Sequence, residues 1–161
     1  MVTKVTVINR QRKIKVTKQM LSLIKSACEE TLKAEKINKC SEIDVTLVSD
    51  LKIKQINRDF RDINKSTDVL SFPMGENGEY DINPETGAIM LGDVVISLEH
   101  ALSQADLFGH GVEREVAYLT VHSVLHLLGY DHVNNEKERK IMRKREELIL
   151  GNMGLAVESE K

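Results

Sequence analysis

The segment from Val121 to His132, with the sequence VHSVLHLLGYDH, constrains the fold of this chain more than any other part. It combines an apolar helix pattern with histidines at the spacing H-x-x-x-H-x-x-G-x-x-H. Imidazoles four residues apart share one helix face, so His122 and His126 can reach the same ion. Gly129 can adopt the left-handed conformation that ends a helix and turns the chain back, so that His132 can supply a third nitrogen. The spacing therefore predicts a helix that ends in a zinc site.

Three protein ligands leave a fourth position for water, which is the arrangement of catalytic zinc sites. Zinc lowers the pKa of its bound water to about 7 and so makes hydroxide available at neutral pH. The alternative is a set of hydrogen-bonded core or surface histidines. Because uncompensated imidazoles on a helix that is apolar on nearly every side would be costly, the pattern favours one zinc ion per chain.

The same histidine spacing occurs in metzincin proteases, where a glutamate beside the first histidine acts as the general base. Ser123 occupies that position here. A serine hydroxyl has too high a pKa to take a proton from zinc-bound water at neutral pH, so a peptidase mechanism lacks its base. Asp131 is the nearest carboxylate in sequence, and a cap on the turn before His132 is an equally good interpretation of it.

The length of 161 residues and a hydrophobic content of 41% suit one core, so we expect a single domain over residues 1–161 with a polar tail after about residue 154. The N-terminus lacks the apolar block of a signal peptide, and no apolar run is long enough to span a membrane. We therefore expect a cytoplasmic protein with no membrane partner. Cys28 and Cys40 show no paired spacing, which indicates free thiols in a reducing compartment.

Basic residues cluster in three segments, 10–18, 52–65 and 137–145, although the net charge is −2. These segments are either solvated helix faces or surfaces that bind phosphate, and the sequence leaves both interpretations open. The glutamates within and beside the third segment are interpreted as ordinary salt-bridge partners: Glu136, Glu138, Glu146 and Glu147. Three Phe, three Tyr and no Trp argue against a wide platform for stacking bases.

Hydrophobic periodicity predicts four strands and five helices. The predicted strands lie near residues 5–8, 43–48, 67–72 and 88–97, with a possible bulge at Gly92. The predicted helices cover about 17–36, 49–60, 98–108, 112–128 and 135–150, and residues 75–87 form a long loop. Strands early and helices late indicate an α+β fold: a small mixed four-stranded sheet packed with about five helices, mostly on one face, including a metzincin-like zinc-binding helix.

Three segments together resemble one family, the bacterial YbeY-type endoribonucleases of ribosomal RNA maturation. They are NRDFR at 57–61, STDVLSFP at 66–73 with LGDVVIS at 91–97, and the histidine segment at 122–132. Their order and separations match those of the family, and the resemblance covers most of the chain between about Val45 and Arg145. Ser123 and Ser66 depart from the family pattern, which usually has glycine at the first position and often proline at the second.

The resemblance implies one zinc held by His122, His126 and His132, and it places the functional arginine of the family at Arg61. It further implies a zinc-dependent endoribonuclease specific for single strands, acting in 3′-end maturation of 16S ribosomal RNA and in ribosome quality control. The implied partners are a ribosomal RNA precursor and the small ribosomal subunit with its proteins. Taken without the family, Arg61 is better interpreted as a surface arginine at a helix C-terminus, where it is favourable to the helix dipole, and the resemblance reverses this preference. The alternatives are a non-catalytic ribosome-binding assembly factor with a structural zinc, or a metalloprotease-like hydrolase.

Overall fold

The computed structural model describes residues 3–76, 78–131 and 135–155. The strands are β1 (Thr3–Asn9), β2 (Ser41–Val48), β3 (Val69–Pro73), β4 (Gly75–Glu76), β5 (Glu79–Tyr80) and β6 (Ile89–Ser97). The helices are α1 (Lys18–Ala34), α2 (Asp50–Arg61), α3 (Leu98–Phe108), α4 (Val112–Leu127) and α5 (Glu136–Asn152). A mixed four-stranded sheet with five helices in the described residues confirms the predicted α+β class and agrees with the predicted element order.

The strand order of the main sheet is β1-β2-β6-β3, with β1, β2 and β6 parallel and β3 antiparallel to β6. The register shifts where Glu42 pairs with Met90 and Ile43 pairs with Gly92. Leu91 is therefore the extra residue, and the predicted bulge lies immediately before Gly92. β3 pairs only with β6 among the described strands, so it is an edge strand, and it borders the functional site.

Glycine is required at position 92 because the backbone of β3 lies very close to the bulge. A Cβ atom at Gly92 would lie 2.3 Å from the carbonyl oxygen of Phe72 and 2.9 Å from the Cα of Pro73. The backbone of Gly92 also has a φ of 144°, which other residues rarely adopt. The glycine lets β3 lie against β6 at the bulge and under the end of α4.

Residues 75–87 differ from the predicted long loop, because they contain a short hairpin of β4 and β5 and a bridge from Ile82 to Ile89. Strands of two residues are too short to show the alternation from which a strand is predicted. The Tyr80 hydroxyl at the end of this hairpin donates to the carbonyl oxygen of Leu127 at a distance of 2.6 Å. The hairpin thereby supports the last turn of α4.

The helices divide between the two faces of the sheet. α1, α3 and α4 form the largest buried cluster with one face, in which Met20, Ile24 and Leu119 meet strand residues such as Val45 and Ile96. On the opposite face α2 forms a smaller cluster with the sheet, and α5 packs against α4 and α1. No helix within the described residues is long and apolar enough to cross a membrane.

Candidate active site

α4 brings the first two predicted metal ligands together. The Nε2 atoms of His122 and His126 lie 3.1 Å apart, and the ring planes meet at 78°. Both imidazoles are half-buried, whereas the helix residues around them, such as Val121 and Leu125, are fully buried. This packing fixes the rotation of α4 and turns both rings toward one cleft. His132, the third predicted ligand, lies outside the described residues.

The chain leaves α4 through the glycine turn that the sequence predicted. α4 ends at Leu127, and Gly129 follows with a φ of 106°. The Gly129 N–H donates to the carbonyl oxygen of His126 at 3.0 Å, and the Tyr130 N–H donates to that of Leu125 at 3.1 Å. These bonds satisfy carbonyl groups at the end of the helix. They also fold Tyr130 back beside His126.

Partners on the Nδ1 atoms determine which nitrogen of each ring faces the cleft. The Nδ1 of His126 lies 2.7 Å from the carbonyl oxygen of Tyr130. Because a carbonyl oxygen can only accept, this Nδ1 carries the proton. The Nδ1 of His122 is hydrogen-bonded to a carboxylate oxygen of Glu146 on α5. In the neutral rings, both Nε2 atoms therefore present lone pairs to the same point.

Glu146 corrects the sequence interpretation, which grouped it with solvated salt-bridge partners. It is only 6% exposed, while Glu147 beside it is exposed. Glu146 shares the inner face of α5 with Met142 and Ile149, which are buried against α4. A glutamate on an apolar helix stripe is the sequence signal that could have identified it. Through Glu146, α5 supplies the hydrogen-bond partner of His122.

Arg61 reaches the same cleft from the end of α2. Its Nη2 donates to the carbonyl oxygen of Ser71 at 3.0 Å, and its guanidinium carbon lies 5.7 Å from the centre of the Phe72 ring. Ser71 belongs to the edge strand β3, and on the outer side of an edge strand no neighbouring strand pairs with the backbone groups. Arg61 is an exposed residue. Its guanidinium is nevertheless hydrogen-bonded to β3, which a surface arginine that serves only the helix dipole would not require.

The cleft has a volume of about 740 Å³ and contains both histidines and the arginine. Its lining residues are Arg61, Asp68, Val69, Ser71, Pro73, Gly75, Glu76, His122, His126, Leu127, Gly129, Tyr130 and Asp131. Asp68 accepts from the Val69 N–H at 2.7 Å and from the Gln104 side chain at 3.2 Å. The cleft thus combines imidazole nitrogens, carboxylates and one guanidinium, and among the described residues no three histidine, cysteine, aspartate or glutamate side chains are grouped to hold a metal ion.

Ser123 does not take the place of the metzincin glutamate in the structure. Its side chain is fully buried, and its hydroxyl is hydrogen-bonded to the hydroxyl of Ser71. The contact joins α4 to β3 beneath the cleft. Ser123 is therefore part of the packing that positions the histidine helix.

Tyrosines near the cleft remain protonated at neutral pH, and the hydroxyls of Tyr80 and Tyr130 donate hydrogen bonds. Burial raises the pKa of Tyr80, and burial with the hydrogen bond to Glu35 raises the pKa of Tyr130 to about 12. Burial also raises the pKa of Tyr118, whose ring centre lies 6.0 Å from that of His122. A phenol that keeps its proton cannot serve as a general base at neutral pH.

Comparison with known proteins gives one consistent result. The family model described as Endoribonuclease YbeY matches residues 6–154. A relative named Endoribonuclease YbeY from Clostridium botulinum strain Hall is 48% identical over 160 residues, covering 91% of this chain and 96% of the relative. A relative with the same name from Caldicellulosiruptor bescii is 47% identical over 156 residues, covering 94% and 98%. The solution structure of TM1509 from Thermotoga maritima is similar with a TM-score of 0.59 and 25% identity, covering 98% of this chain and 99% of that chain.

Proposed function

The chain belongs to the endoribonuclease YbeY family, and from this premise we propose that it is a zinc-dependent endoribonuclease specific for single-stranded RNA. As a member of the family it is a hydrolase whose substrate is RNA. We further propose that it acts in 3′-end maturation of 16S ribosomal RNA and in ribosome quality control, with the small ribosomal subunit as partner. Family membership supports this role, and the cleft supports the chemistry.

The observation that carries the metal proposal is the convergence of two imidazole lone pairs. The Nε2 atoms of His122 and His126 are 3.1 Å apart, while both Nδ1 atoms are held by oxygen acceptors. Two lone pairs at this distance repel one another unless a cation or a proton lies between them. Two ligand atoms on one tetrahedral zinc lie roughly 3.3 Å apart, since each Zn–N distance is about 2.0–2.1 Å. The pair therefore fits zinc, and His132 is the proposed third ligand.

The partners of the histidines are those expected around a metal. Ligating histidines commonly donate their second nitrogen to a carboxylate or a backbone carbonyl, which fixes the ring and raises its basicity. Glu146 supplies a carboxylate for His122, and Tyr130 supplies a carbonyl for His126. When bound in this cleft, zinc would supply Lewis-acid chemistry that stabilises charge on a phosphoryl oxygen.

Arg61 is the proposed phosphate-binding residue of the same cleft. The planar guanidinium can present two parallel N–H groups to a phosphate, which an ammonium cannot. Its hydrogen bond to Ser71 and its position over Phe72 hold the guanidinium in place before substrate arrives. A donor fixed in advance stabilises developing negative charge without the cost of reorganisation.

Two alternatives have less support. A structural zinc in a non-catalytic assembly factor would be enclosed by four ligands, whereas these histidines line an open cleft of about 740 Å³ that also holds Arg61. A peptidase of the metzincin type would require a base at Ser123, which is buried and bonded to Ser71.

The test is cleavage of labelled single-stranded RNA by the purified protein with and without a chelator, beside an unfolded protein substrate. We expect RNA cleavage that the chelator abolishes and zinc restores, and no peptide cleavage. His126→Ala should lose both zinc and cleavage. His100→Ala, at a histidine bonded to Asp50 and absent from the cleft lining, is the matched control and should keep both. Chelator-sensitive peptide cleavage without RNA cleavage would reverse the proposal.

The ribosomal role has its own test. The protein should remove the 3′ extension from precursor small subunits that still carry it on 16S RNA. The same RNA should resist cleavage when a complementary strand is annealed across the extension. Equal cleavage of the paired and unpaired forms would contradict single-strand specificity, and intact precursor after incubation with active protein would contradict the maturation role.

A further inference from the structure

Phe60 lies on the sheet-facing side of α2 but is not covered by the sheet. It follows Ile53 and Asn57 along one helical stripe, in which these two residues are 0% and 5% exposed. Phe60 is 74% exposed. The stripe thus continues past the buried cluster into solvent, and it ends in an aromatic ring that the fold leaves open.

Within the part of the chain that the structure describes, the exposed ring contacts one other aromatic ring. The centres of the Phe60 and Phe72 rings are 5.7 Å apart, and the planes meet at 66° in an edge-to-face arrangement. Phe72 is half-buried against the cluster of Ile53, Leu70 and their neighbours. Phe72 is therefore a fixed support for the more exposed ring. We call these two residues, Phe60 and Phe72, the aromatic corner.

Arg61 connects the aromatic corner to the histidine cleft across the edge of the sheet. Successive residues of a strand point to opposite faces. Ser71 accordingly contacts Ser123 of α4 on the cleft side, while Phe72 packs toward α2 on the other side. The guanidinium bonds the Ser71 carbonyl oxygen and lies over the Phe72 ring. A phosphate held by Arg61 would therefore lie beside both the cleft and the aromatic corner.

The segment that contains Phe60 carries a positive charge, which would attract the phosphates of a nucleic acid. Residues 52–65 contain five basic and two acidic side chains, a net charge of +3, in a chain whose net charge is −2. A protein partner that docked by apolar contact would need a patch of several hundred Å². One ring in a basic segment, supported by a second ring on β3, suits a smaller apolar surface next to a phosphate, which is what one nucleotide presents.

We propose that Phe60, supported by Phe72, is the stacking site for one unpaired base of the RNA, next to the phosphate held by Arg61. This subsite rests on the proposed cleavage of RNA at the histidine cleft. Stacking on an aromatic ring is tolerant of base identity but requires a base whose face is uncovered. Phe60 would therefore favour unpaired strands over duplexes. It is a base-stacking residue and takes no part in the chemical step.

A direct test uses the absence of tryptophan from the sequence. Phe60→Trp creates a protein with a single tryptophan, whose fluorescence should be quenched when a short single-stranded RNA is added. Leu107→Trp is the matched control, because Leu107 is 78% exposed on α3 and does not line the cleft. Quenching at position 60 and none at position 107 would support the site. Equal quenching at both positions would overturn the site. So would the absence of quenching at both positions under conditions in which the RNA binds.

Kinetics separate stacking from simple packing on Phe72. Phe60→Ala and Phe60→Leu should each raise KM for single-stranded RNA by about tenfold with kcat nearly unchanged, since a stacked base contributes this order of affinity. Phe60→Tyr should behave as the native protein. If Phe60→Leu had the KM of the native protein, the proposal would be overturned, because leucine retains apolar contact but has no aromatic face. Native RNA kinetics in Phe60→Ala would also overturn the proposal. If this variant in addition bound ribosomal subunits more weakly, the aromatic corner would be identified as a protein contact.

The two proposals can fail separately. If RNA binds the native protein and quenches the fluorescence of Phe60→Trp, but neither protein cleaves the RNA, the stacking site stands and the proposed catalytic function is wrong. If native and Phe60→Ala proteins cleave with the same KM, the function stands and the stacking site is wrong. Thermal unfolding of each variant, expected to match the native protein within a few degrees, confirms that the compared proteins are folded.

Discussion

For single residues, the orientation of the two histidines depends on groups other than the histidines themselves. The helix spacing brings His122 and His126 together, but Tyr130 and Glu146 hold the Nδ1 atoms and thereby direct the Nε2 atoms into the cleft. Mutation of a residue that orients a metal ligand in this way typically lowers metal affinity by about 10- to 100-fold. Glu146 is the partner that a substitution can remove.

Glu146→Gln should weaken zinc binding by about 10- to 100-fold, because the amide is a poorer acceptor for the imidazole N–H and does not raise ligand basicity. Competition with a chromophoric chelator measures the change. Glu147→Gln is the matched control, since Glu147 is exposed and bonded only to Arg143 among the interactions described for it. Equal zinc affinity in the two variants would show that Glu146 does not support the site.

Arg61→Ala should reduce RNA cleavage about a hundredfold or more while leaving zinc content and the fold nearly unchanged. The expectation follows because a fixed guanidinium stabilises charge in the transition state, and loss of one such donor commonly costs this much. Arg61→Lys should recover only part of the rate, since the ammonium loses the bidentate geometry. Single-turnover cleavage at saturating RNA is the measurement. A native rate in Arg61→Ala would exclude the proposed role, and an unfolded variant would identify the residue as structural.

At the scale of elements, the cleft depends on how closely β3 lies against β6 and α4. Gly92 allows this approach, because any side chain there would meet the backbone of Phe72 and Pro73. The hydroxyls of Ser71 and Ser123 then join β3 to α4, and Tyr80 joins the hairpin to the end of α4. A change at the bulge should therefore reach the cleft through β3.

Gly92→Ala should destabilise the protein by about 1–3 kcal/mol from overpacking, and the positive φ adds strain in the same direction. Urea unfolding measures the loss. Gly151→Ala is the matched control: Gly151 lies within α5, and a Cβ there would meet nothing within 4 Å. Alanine should stabilise the helix by up to about 1 kcal/mol at that position. A Gly92→Ala variant as stable as the native protein would mean that β3 can move away without cost.

At the scale of the whole molecule, the candidate site lies where three separately packed parts meet. α4 belongs to the main core, α5 packs on its outer side, and α2 lies on the opposite face of the sheet. Zinc on His122 and His126 would therefore bind to a helix that contacts most of the fold. Because a ligand that binds only the folded state stabilises it, metal binding should be visible in global unfolding.

Addition of zinc at about 100 times its Kd should stabilise the native protein by about 2.7 kcal/mol, and a chelator should remove that gain. His126→Ala should show no zinc-dependent shift. The gain should be present at neutral pH and decrease on acidification, because protons compete with the metal for the imidazoles. Thermal unfolding with zinc or chelator at several pH values is the measurement. Identical melting temperatures with and without zinc at neutral pH would contradict the site.

Much of the architecture could be predicted because it depends on residues near one another in sequence. The alternation near residues 43–48 and the apolar repeat near 112–128 agree with β2 and α4. The histidine pair and the turn at Gly129 follow from helix geometry alone. The hairpin of β4 and β5 could not be predicted, since two-residue strands carry no periodic signal and form through pairing.

The five helices, the four strands of the main sheet and the pair of imidazoles on α4 could be inferred from sequence alone, because helix and strand periodicity are local properties of the chain. The positions of Glu146 facing His122, of Arg61 bonded to Ser71 and of the uncovered Phe60 became known only from the packed fold. Each of these depends on where an element ends relative to one that is distant in sequence. The physical reason is that burial and hydrogen-bond partners arise from packing between elements, which no pattern within one segment records.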